Sequence, residues 1–495
     1  MTLKRRCRLG ALAVAVTFVL PVSRAADYFV PSHVLPGIGA SRQEITDEEL
    51  ALRTEALIQS QTFGIMREGQ ATAGAERIFS PGLQRLFHDA ERRSGFPASV
   101  LQAMTYLESW GYAKAESPTG PRGILQMSET TARRMGLRVS YAVRHRTVKT
   151  KVATHDKHGK IVYRTVRHKE TYTVALRDDR LKPEKAVPAA AMYLAGMERH
   201  YGGRDWAIWA YHCGEGCVSE ILALARDANG PAASLPSVAK VFFGCTPAWN
   251  RSLFEALRTH MGRDYSPTYW FRVMRAEQLL RIYQEDPPEF RDLVDQYKYR
   301  PDMAQRAPDR LALWLRSRDL IYENYEMLRG GPGGQLVGAP DDPAFFGYHV
   351  AAPVLDAFPS TIGTLAYIAF ETRRLFESMR LGVDFVPLEV TALAVPPNAD
   401  NQSGSAPQGD RVAEHASGQV FDIALAGLPG AERECLQFVL DDLGWNGDLG
   451  FIEDPSSGQT MHIGCAPRAR DLFAKVYEDQ QEAMRARSGP ATTAQ

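Results

Sequence analysis

An apolar helix that ends on a carboxylate and leads into a glycine-rich turn is the feature that most restricts how this chain folds. Apolar residues recur at helical spacing through this segment, namely Val100, Ala103, Met104 and Leu107. That periodicity predicts a helix with one buried face, and Glu108 follows directly at its end. Partial burial raises the pKa of a carboxylate, so we expect Glu108 to hold a proton near neutral pH and to act as a general acid.

The turn after this helix supplies further polar residues. Gly120 and Gly123 lie within it, and glycine permits a tight backbone path. Ser117 and Gln126 flank the two glycines, so both are predicted to face the cleft that contains Glu108. The alternative is a surface glutamate beside an ordinary turn, which is the norm for an isolated Glu. The motifs described next favour a Glu108 that faces a cleft over one on the surface.

Several short blocks in a fixed order resemble the soluble lytic transglycosylase family, which has a goose-type lysozyme-like fold. The resemblance covers about 96–222, less than a third of the chain. The blocks are Glu108-Ser109, Ser117-Pro118-Thr119-Gly120, Gly123-Ile124-Leu125-Gln126, Thr131-Ala132, Gly136-Leu137, Asp178-Asp179-Arg180, Ala191-Met192-Tyr193-Leu194, Tyr201-Gly202 and Ala210-Tyr211-His212-Cys213-Gly214. Two positions depart from the family pattern, since His212 replaces Asn and Leu125 replaces Met.

The resemblance implies a reaction and a set of site residues. Glu108 would be the catalytic acid and base that cleaves the bond between N-acetylmuramic acid and N-acetylglucosamine in peptidoglycan. The acetamido group of the sugar would assist, and a 1,6-anhydro ring would form without a cofactor. Ser109, Ser117, Gln126, Tyr211 and His212 would bind the glycan strand.

Two other functions remain open at this point. A muramidase-type hydrolase would need a second carboxylate to activate water, and Glu116 and Asp179 are the candidates for that role. A non-catalytic protein that binds peptidoglycan or acts as a scaffold is the other alternative. The intact Glu108, Ser117 and Gln126 argue against it.

A basic, β-rich segment interrupts the helical pattern at 140–175. Val148–Val152 and Lys160–Val166 read as strands on either side of a turn at Asp156–Gly159, which predicts a β-hairpin. From Arg144 to Lys169 there are nine Lys and Arg, four His and one Asp. The charges either protect exposed strand edges or form an arm, 142–172, that holds an anionic partner from the cell envelope.

A second group of candidate site residues lies near the C-terminus. His415, Asp422 and His462 are a competent set of zinc ligands. Their spacing resembles that of the zinc D-Ala-D-Ala carboxypeptidases, so zinc is the expected cofactor of this region. Gln459 stands where that family has its general base, and the substrate-binding Arg expected near Thr391–Val395 is absent. Peptidase activity and a degenerate, substrate-binding role both stay open.

The N-terminus predicts export. A basic start, an apolar run from Leu9 to Leu20 and the small residues before Ala25 are typical of a cleaved signal peptide. We therefore expect a periplasmic protein, with onward secretion open and no transmembrane segment in the mature form. Equal numbers of acidic and basic residues, 58 each, give no indication of a nucleic-acid partner.

Export would permit disulfide bonds. Cys435 and Cys465 are candidates for one pair, whereas Cys213, Cys217 and Cys245 form a group whose pairing the sequence does not assign.

The predicted fold class is mainly α with α+β parts. The predicted order is a signal peptide (1–25), an N-terminal helical region (26–95), a lysozyme-like catalytic domain (96–245) with the hairpin inserted at 140–175, a helical region with a linker (246–344), an α+β zinc-carboxypeptidase-like domain (345–481) and a disordered tail (482–495).

Overall fold

The computed structural model describes most of the chain between residues 28 and 488. The described residues are 28–33, 45–66, 69–155, 158, 160–229, 236–261, 266–297, 336–351, 356–394, 415, 418–453 and 458–488. The predicted signal peptide, the glycine-rich linker at 330–334, the loop at 396–409 and residues 489–495 lie outside these ranges.

Helices dominate the first part of the chain. In chain order they are α1 (Asp47–Ser60), α2 (Thr62–Met66), α3 (Ala71–Ile78), α4 (Pro81–Ser94), α5 (Ala98–Ser109), α6 (Glu129–Arg134), α7 (Pro183–Tyr201), α8 (Arg204–Cys213), α9 (Glu215–Asn229), α10 (Val238–Phe243), α11 (Arg251–Met261), α12 (Tyr269–Glu285) and α13 (Pro287–Tyr297). Two long strands, β1 (Val139–His155) and β2 (Ile161–Asp178), separate α6 from α7.

Local sequence accounts for several helix ends. Thr46 caps α1 through a capping box, in which its side chain accepts from the backbone of Glu49 and the Glu49 carboxylate accepts from the backbone of Thr46. Helix α7 starts at Pro183, where a missing N–H costs nothing, and it ends at Gly202 in the left-handed conformation. The predicted apolar face of α7, which includes Val187 and Leu194, is buried.

One hydrophobic core joins most of these helices, whereas the buried apolar residues of α1 belong to a smaller cluster. The main core runs from Ile65 to Phe290 and includes the predicted apolar face of α5. Its largest fully buried side chains include Trp206, Trp209 and Tyr106. The core is continuous across residue 96, because Ile78 and Phe87 belong to it. Helices α3 and α4 therefore pack with α5 rather than forming a core of their own.

The C-terminal unit contains a mixed sheet and long helices. Its elements are β3 (Val337–Gly338), α14 (Pro343–Phe346), β4 (Tyr348–Val350), β5 (Asp356–Ala357), α15 (Pro359–Ser378), β6 (Leu388–Ala392), β7 (Val420–Ala424), α16 (Gly430–Asn446), β8 (Leu449–Glu453), β9 (Thr460–Cys465) and α17 (Arg470–Ser488). The five-stranded sheet has the order β4-β6-β7-β9-β8, and only β4 and β6 are parallel among these neighbours.

A second core forms between this sheet and its helices. Helix α15 is buried along most of its length and contacts both α16 and α17. Gly363 allows the closest approach, since a Cβ atom there would lie 1.8 Å from the carbonyl oxygen of Phe473. The unit is thus α+β, as expected. Its likeness to zinc carboxypeptidases stays a prediction.

Side chains from both units meet along α1 and α16. Arg53 of α1 forms a buried ion pair with Asp442 of α16, and the Phe242 ring lies 4.9 Å from that of Trp445. The N-terminal segment 28–33 also joins the C-terminal unit, because Phe29 packs in its core and Ser32 donates to Asp479.

Two expectations are corrected by the structure. Residues 482–488 are not a disordered tail but the last two turns of α17, where Ala483 packs against the core and Arg487 pairs with Asp342. No disulfide bond joins any of the five described cysteines. The Cys435 thiol donates to Met379 and the Cys465 thiol to the carbonyl of Ala466, both at 3.4 Å.

No helix among the described residues combines the length and the hydropathy that a membrane span requires.

Candidate active site

An open cleft in the helical unit contains most of the predicted site residues. Its volume is about 800 Å³. It is lined by residues from the end of α5, the loop before α6, α6, α7 and the junction of α8 with α9, namely Glu108, Ser117, Thr119, Pro121, Gln126, Met127, Ser128, Thr131, Arg134, Tyr193, Ala210, Tyr211, His212, Cys213, Gly214 and Glu215. Glu108 is the only carboxylate of α5 in this lining.

The surroundings of Glu108 favour its protonated form. Burial raises the pKa of its carboxyl to about 7, although a hydrogen bond from Tyr269 and the charge of Arg272 act in the opposite direction. The Tyr269 hydroxyl donates to Oε1 of Glu108 at 2.6 Å. A carboxylic acid with a pKa near 7 can give a proton and take one back in neutral solution. Burial of Glu108 is thus the structural reason why it can hold a proton near neutral pH.

The glycine-rich loop is held in one shape by close packing. Gly123 has φ +83°, and a Cβ atom on it would lie 1.9 Å from the carbonyl oxygen of Arg180. Gln126 adopts the left-handed conformation at φ +43°, which is uncommon outside glycine. Its side chain donates to the carbonyls of Ala115 and Gly123, at 3.2 and 2.9 Å. Ser117 completes the turn by accepting from the backbone of Thr119.

Tyr211 and His212 also lie where the motifs predict them. The Tyr211 hydroxyl donates to the carbonyl of Leu125 at 2.7 Å, which ties α8 to the loop. Burial raises the pKa of Tyr211 well above its usual value, so it remains a donor. The His212 ring stacks on Tyr269 at 4.3 Å with 10° between the planes. His212 therefore supports the residue that donates to Glu108.

Ser109 does not line the cleft, in contrast to the prediction. Its side chain is buried, and its hydroxyl donates to the carbonyls of Ile124 at 2.6 Å and Thr105 at 3.3 Å. The residue after Glu108 thus fastens the helix end to the glycine-rich loop. Its contribution is to the position of Glu108 and not to direct contact with a ligand.

The two carboxylates predicted for a hydrolase lie outside the cleft lining. Glu116 is exposed beside Arg122. Asp179 is buried at the base of β2, where it accepts from Lys185 and from the backbone of Arg138. The structure therefore does not bring either of them into the cleft lining with Glu108.

A different carboxylate, Glu215, does line the cleft. The Tyr193 hydroxyl donates to it at 2.7 Å, and Arg134 pairs with it at 2.7 Å. The hydrogen bond from Tyr193 is the main cause that holds the pKa of Glu215 below its usual value, and the pairing with Arg134 adds to it. Glu215 is therefore ionised when Glu108 is still protonated.

The sequence did not point to Tyr269, Glu215 or Arg134. Tyr269 begins α12 and lies beyond the segment with family blocks. Tyr193 stands within one of those blocks, but only the fold shows that Glu215 accepts its hydrogen bond. No periodicity or spacing in the sequence connects Tyr269 to Glu108, because 161 residues separate them.

A candidate metal site forms where β7 and β9 pair in the C-terminal unit. Asp422 and His462 are directly opposite each other, and His462 Nδ1 lies 2.6 Å from Asp422 Oδ1. His415 Nε2 lies 3.3 Å from the same oxygen. One candidate ligand atom from each residue lies within 4.8 Å of the others. The predicted three residues are thus brought together.

This cluster fits a zinc ion by its donor chemistry. His415 directs Nδ1 to the carbonyl oxygen of Leu393 at 2.8 Å, which leaves its buried Nε2 facing Asp422 Oδ1 at 3.3 Å. A metal ion could take both of these atoms as ligands. Two imidazoles and one carboxylate are also a common zinc set. The exposed fractions of His415, Asp422 and His462 are only 0%, 4% and 1%.

A general base for peptide hydrolysis is not apparent beside this cluster among the described residues. Glu453, the nearby acid considered for that role, is exposed and pairs with Arg433 at 2.9 Å. Gln459 keeps its amide side chain at the position of the family base, and its carbonyl oxygen accepts from the backbone of Leu425.

The helical unit matches a known family. The model of the Transglycosylase SLT domain matches residues 85–151 and 160–232. The match contains the whole cleft lining, from Glu108 to Glu215. It leaves out Tyr269.

Three relatives are similar to part of the chain. Peptidoglycan transglycosylase gp16 of Escherichia phage T7 is 31% identical over 132 residues, which are 26% of this chain and 8% of that protein. Membrane-bound lytic murein transglycosylase F 2 of Alkalilimnicola ehrlichii is 27% identical over 154 residues, 30% of this chain and 25% of that protein. Membrane-bound lytic murein transglycosylase F of Alcanivorax borkumensis is 42% identical over 57 residues, 12% of each chain. The chain thus spans a quarter or less of the length of each.

Proposed function

We propose that this protein is an exported lytic transglycosylase that cleaves the glycan strands of peptidoglycan. The observation that carries the proposal is Glu108, a carboxyl with a pKa raised to about 7 by burial at the floor of an open cleft. The SLT family model, which matches this region, and the similarity to the transglycosylases named above support the choice of substrate.

Glu108 has two tasks in the proposed reaction. It first protonates the oxygen of the β-1,4 bond between N-acetylmuramic acid and N-acetylglucosamine, and the acetamido oxygen of the muramic acid attacks the anomeric carbon. The resulting carboxylate then removes the proton of the C6 hydroxyl, so that this oxygen closes a 1,6-anhydro ring. A substrate-assisted reaction of this kind needs no second protein carboxylate. Tyr269 stabilises the ionised form of Glu108 between the two steps.

Hydrolysis is the competing reaction, and Glu215 is the residue that would perform it. It is the other carboxylate among the cleft-lining residues, and its pKa is lowered. Its pairing with Arg134 and Tyr193 favours a role in shaping the cleft over a role as a base. A water nucleophile would leave a reducing end on the muramic acid.

Product analysis tests the proposal. Peptidoglycan is digested with the full chain and the products are measured by mass spectrometry. We expect anhydro-muropeptides, which are lighter by one water than hydrolysis products. Glu215→Gln should retain the same product. Reducing-end products that vanish in Glu215→Gln would establish hydrolysis instead, and no product from wild type would support a binding or scaffold protein.

Export belongs to the same proposal. Peptidoglycan lies outside the cytoplasm, and the sequence of residues 1–25 has the composition of a signal peptide. Periplasmic delivery is tested by fusing these residues to a reporter that is active only after export. Retention of the reporter in the cytoplasm would contradict it.

A zinc site is a second proposal, favoured by the close grouping of three buried ligand atoms. His415, Asp422 and His462 would hold the ion. Bound zinc could act as a Lewis acid, but without a base beside it we propose that it stabilises the unit or supports ligand binding. The metal content of the purified full chain should be close to one zinc per molecule.

Two variants make this measurement decisive. His415→Ala should lose the zinc and should unfold at a lower temperature, because metal binding to the folded state stabilises it. His349→Ala is the matched control, since His349 is exposed on β4 of the same unit and pairs with Asp341. Equal zinc contents in the two variants would refute the site.

A further inference from the structure

The hairpin formed by β1 and β2 is a long two-stranded ribbon. Its strands pair antiparallel from Val139–Asp178 to His155–Ile161. Seventeen residues of β1 extend to about 55 Å at the usual rise per residue. Side chains on both faces of its middle part are exposed. An isolated pair of strands is marginally stable in water, so a ribbon of this length needs an anchor.

The anchor lies beside the cleft. Buried Arg180, just after β2, pairs with Asp178 at 2.7 Å and donates to the carbonyls of Gly120 and Met127 in the cleft loop. It also donates to the Tyr141 hydroxyl on β1. The base of the ribbon is therefore fixed to the same loop that carries Ser117 and Gln126. Anything bound along the ribbon is therefore attached to the unit that contains the cleft.

The strand register decides which charged side chains of the ribbon share a face. Residues directly opposite each other share a face. Arg146 lies opposite Glu170 and pairs with it at 2.7 Å, whereas His145 lies opposite Thr171 and contacts it at 3.0 Å on the other side. The face with Arg146 and Glu170, the mixed face, also carries Val148, Val152 and Val166.

The other face, the basic face, carries cations without an acid. Lys149 lies directly opposite Arg167, with Lys151 and Lys169 at adjacent positions of the same face. All four are exposed, and none forms an ion pair with a described residue. Thr147 and Thr165 stand opposite Lys169 and Lys151, and the exposed apolar side chains of this face, Val143, Ile161 and Tyr163, lie nearer its two ends. Like charges directly opposite each other destabilise a strand pair, and an anion between them would remove that cost.

We propose that the basic face binds a polymer of the cell envelope whose repeating units are linked by phosphodiesters. Alternate residues of a strand are about 7 Å apart, so the four cations present a regular row of charges to a repeating anion. The segregation of charge favours a hydrated polymer over a membrane. The four cations and the two threonines beside them form a block without an apolar side chain that a lipid surface could take up.

Two double variants of equal charge test the proposal. Lys149→Thr with Arg167→Thr removes two cations from the basic face, and Arg144→Thr with Arg164→Thr removes two from the mixed face. Threonine suits both positions, since it favours strands. The probe is a synthetic glycerol-phosphate oligomer, and its binding to the full chain is measured by calorimetry at several salt concentrations.

We expect the basic-face variant to bind about tenfold more weakly and with a shallower dependence on salt, because fewer counterions are released. The mixed-face variant should bind within about twofold of wild type, since the remaining long-range effect is screened by salt. Equal losses in both variants would mean nonspecific attraction and would overturn the proposal.

Two comparison ligands separate other partners. Vesicles with phosphatidylglycerol should bind more weakly than the oligomer, and tight vesicle binding that is lost in the mixed-face variant would establish a membrane partner instead. Glycan strands free of phosphate should bind equally to wild type and to the basic-face variant. Because binding is measured without turnover, its failure leaves the catalytic proposal intact.

Discussion

The cleft around Glu108 and the cluster of His415, Asp422 and His462 differ in their access to solvent. Both gather side chains from distant parts of the chain, and both sets of residues were predicted from spacing in the sequence. The cleft is an open volume of about 800 Å³, whereas the cluster is almost fully buried. The cleft also supplies a proton donor with a suitable pKa. A set of the right residues is thus insufficient, since chemistry also needs access and a group that transfers protons.

The largest expected effect is the loss of activity in Glu108→Gln. Removing a general acid costs about a thousandfold in rate, so kcat on peptidoglycan should fall by about that factor. Glu116→Gln is the control, because Glu116 is exposed outside the cleft lining. If Glu108→Gln keeps its activity, Glu108 is not the general acid of the cleft.

The same variant should be more stable than wild type at alkaline pH. The folded-state pKa of Glu108 is raised to about 7 from 4.5, so ionisation of this residue costs folding free energy. The stability that the protonated form contributes is complete below about pH 4.5 and is lost as pH rises through 7. Glu108→Gln cannot ionise and should gain up to about 3 kcal/mol at pH 8, with little gain at pH 4.5.

Denaturant unfolding of both proteins across this pH range measures the gain. If the difference in unfolding free energy between the two proteins stays constant from pH 4.5 to pH 8, then burial does not raise the pKa of Glu108.

A smaller effect is expected for Tyr269→Phe. Its hydroxyl stabilises the ionised form of Glu108, and a hydrogen bond to a charged group contributes about 1.5–3 kcal/mol. The alkaline limb of the pH–rate profile should therefore move up by roughly one unit, while kcat falls by less than about tenfold.

Tyr283→Phe serves as the control for Tyr269→Phe, because Tyr283 lies on the same helix and stacks on Phe79 instead. An unshifted limb in Tyr269→Phe would mean that Tyr269 is only a packing residue.

The smallest effect concerns the buried cluster. Gln459→Glu restores a carboxylate at the position of the missing base, and we expect no hydrolysis of a peptide that ends in D-Ala-D-Ala. The cluster is excluded from solvent, and the neighbouring backbone of Gln459 is held by Leu425. If Gln459→Glu hydrolyses the peptide and a further His462→Ala change abolishes this, then the missing carboxylate, and not burial, is what keeps the cluster inactive.

The sequence by itself determined the parts of the protein that depend on local pattern. Periodicity predicted α7 and its buried face, glycine spacing predicted the cleft loop, and alternation predicted the hairpin, all of which the structure contains. It also placed Glu108 at a helix end. Local pattern sufficed there, because each of these features is encoded within about twenty residues.

Only the tertiary structure decided what surrounds those residues. It brought Tyr269 to Glu108 and Glu215 to Arg134, it buried Ser109 behind the cleft, and it paired Glu453 with Arg433. These contacts join residues that are far apart in the chain or on different elements. Burial and partners set a pKa, and neither is a property of a local segment. The motif therefore named Glu108, and the fold gave it the environment of an acid.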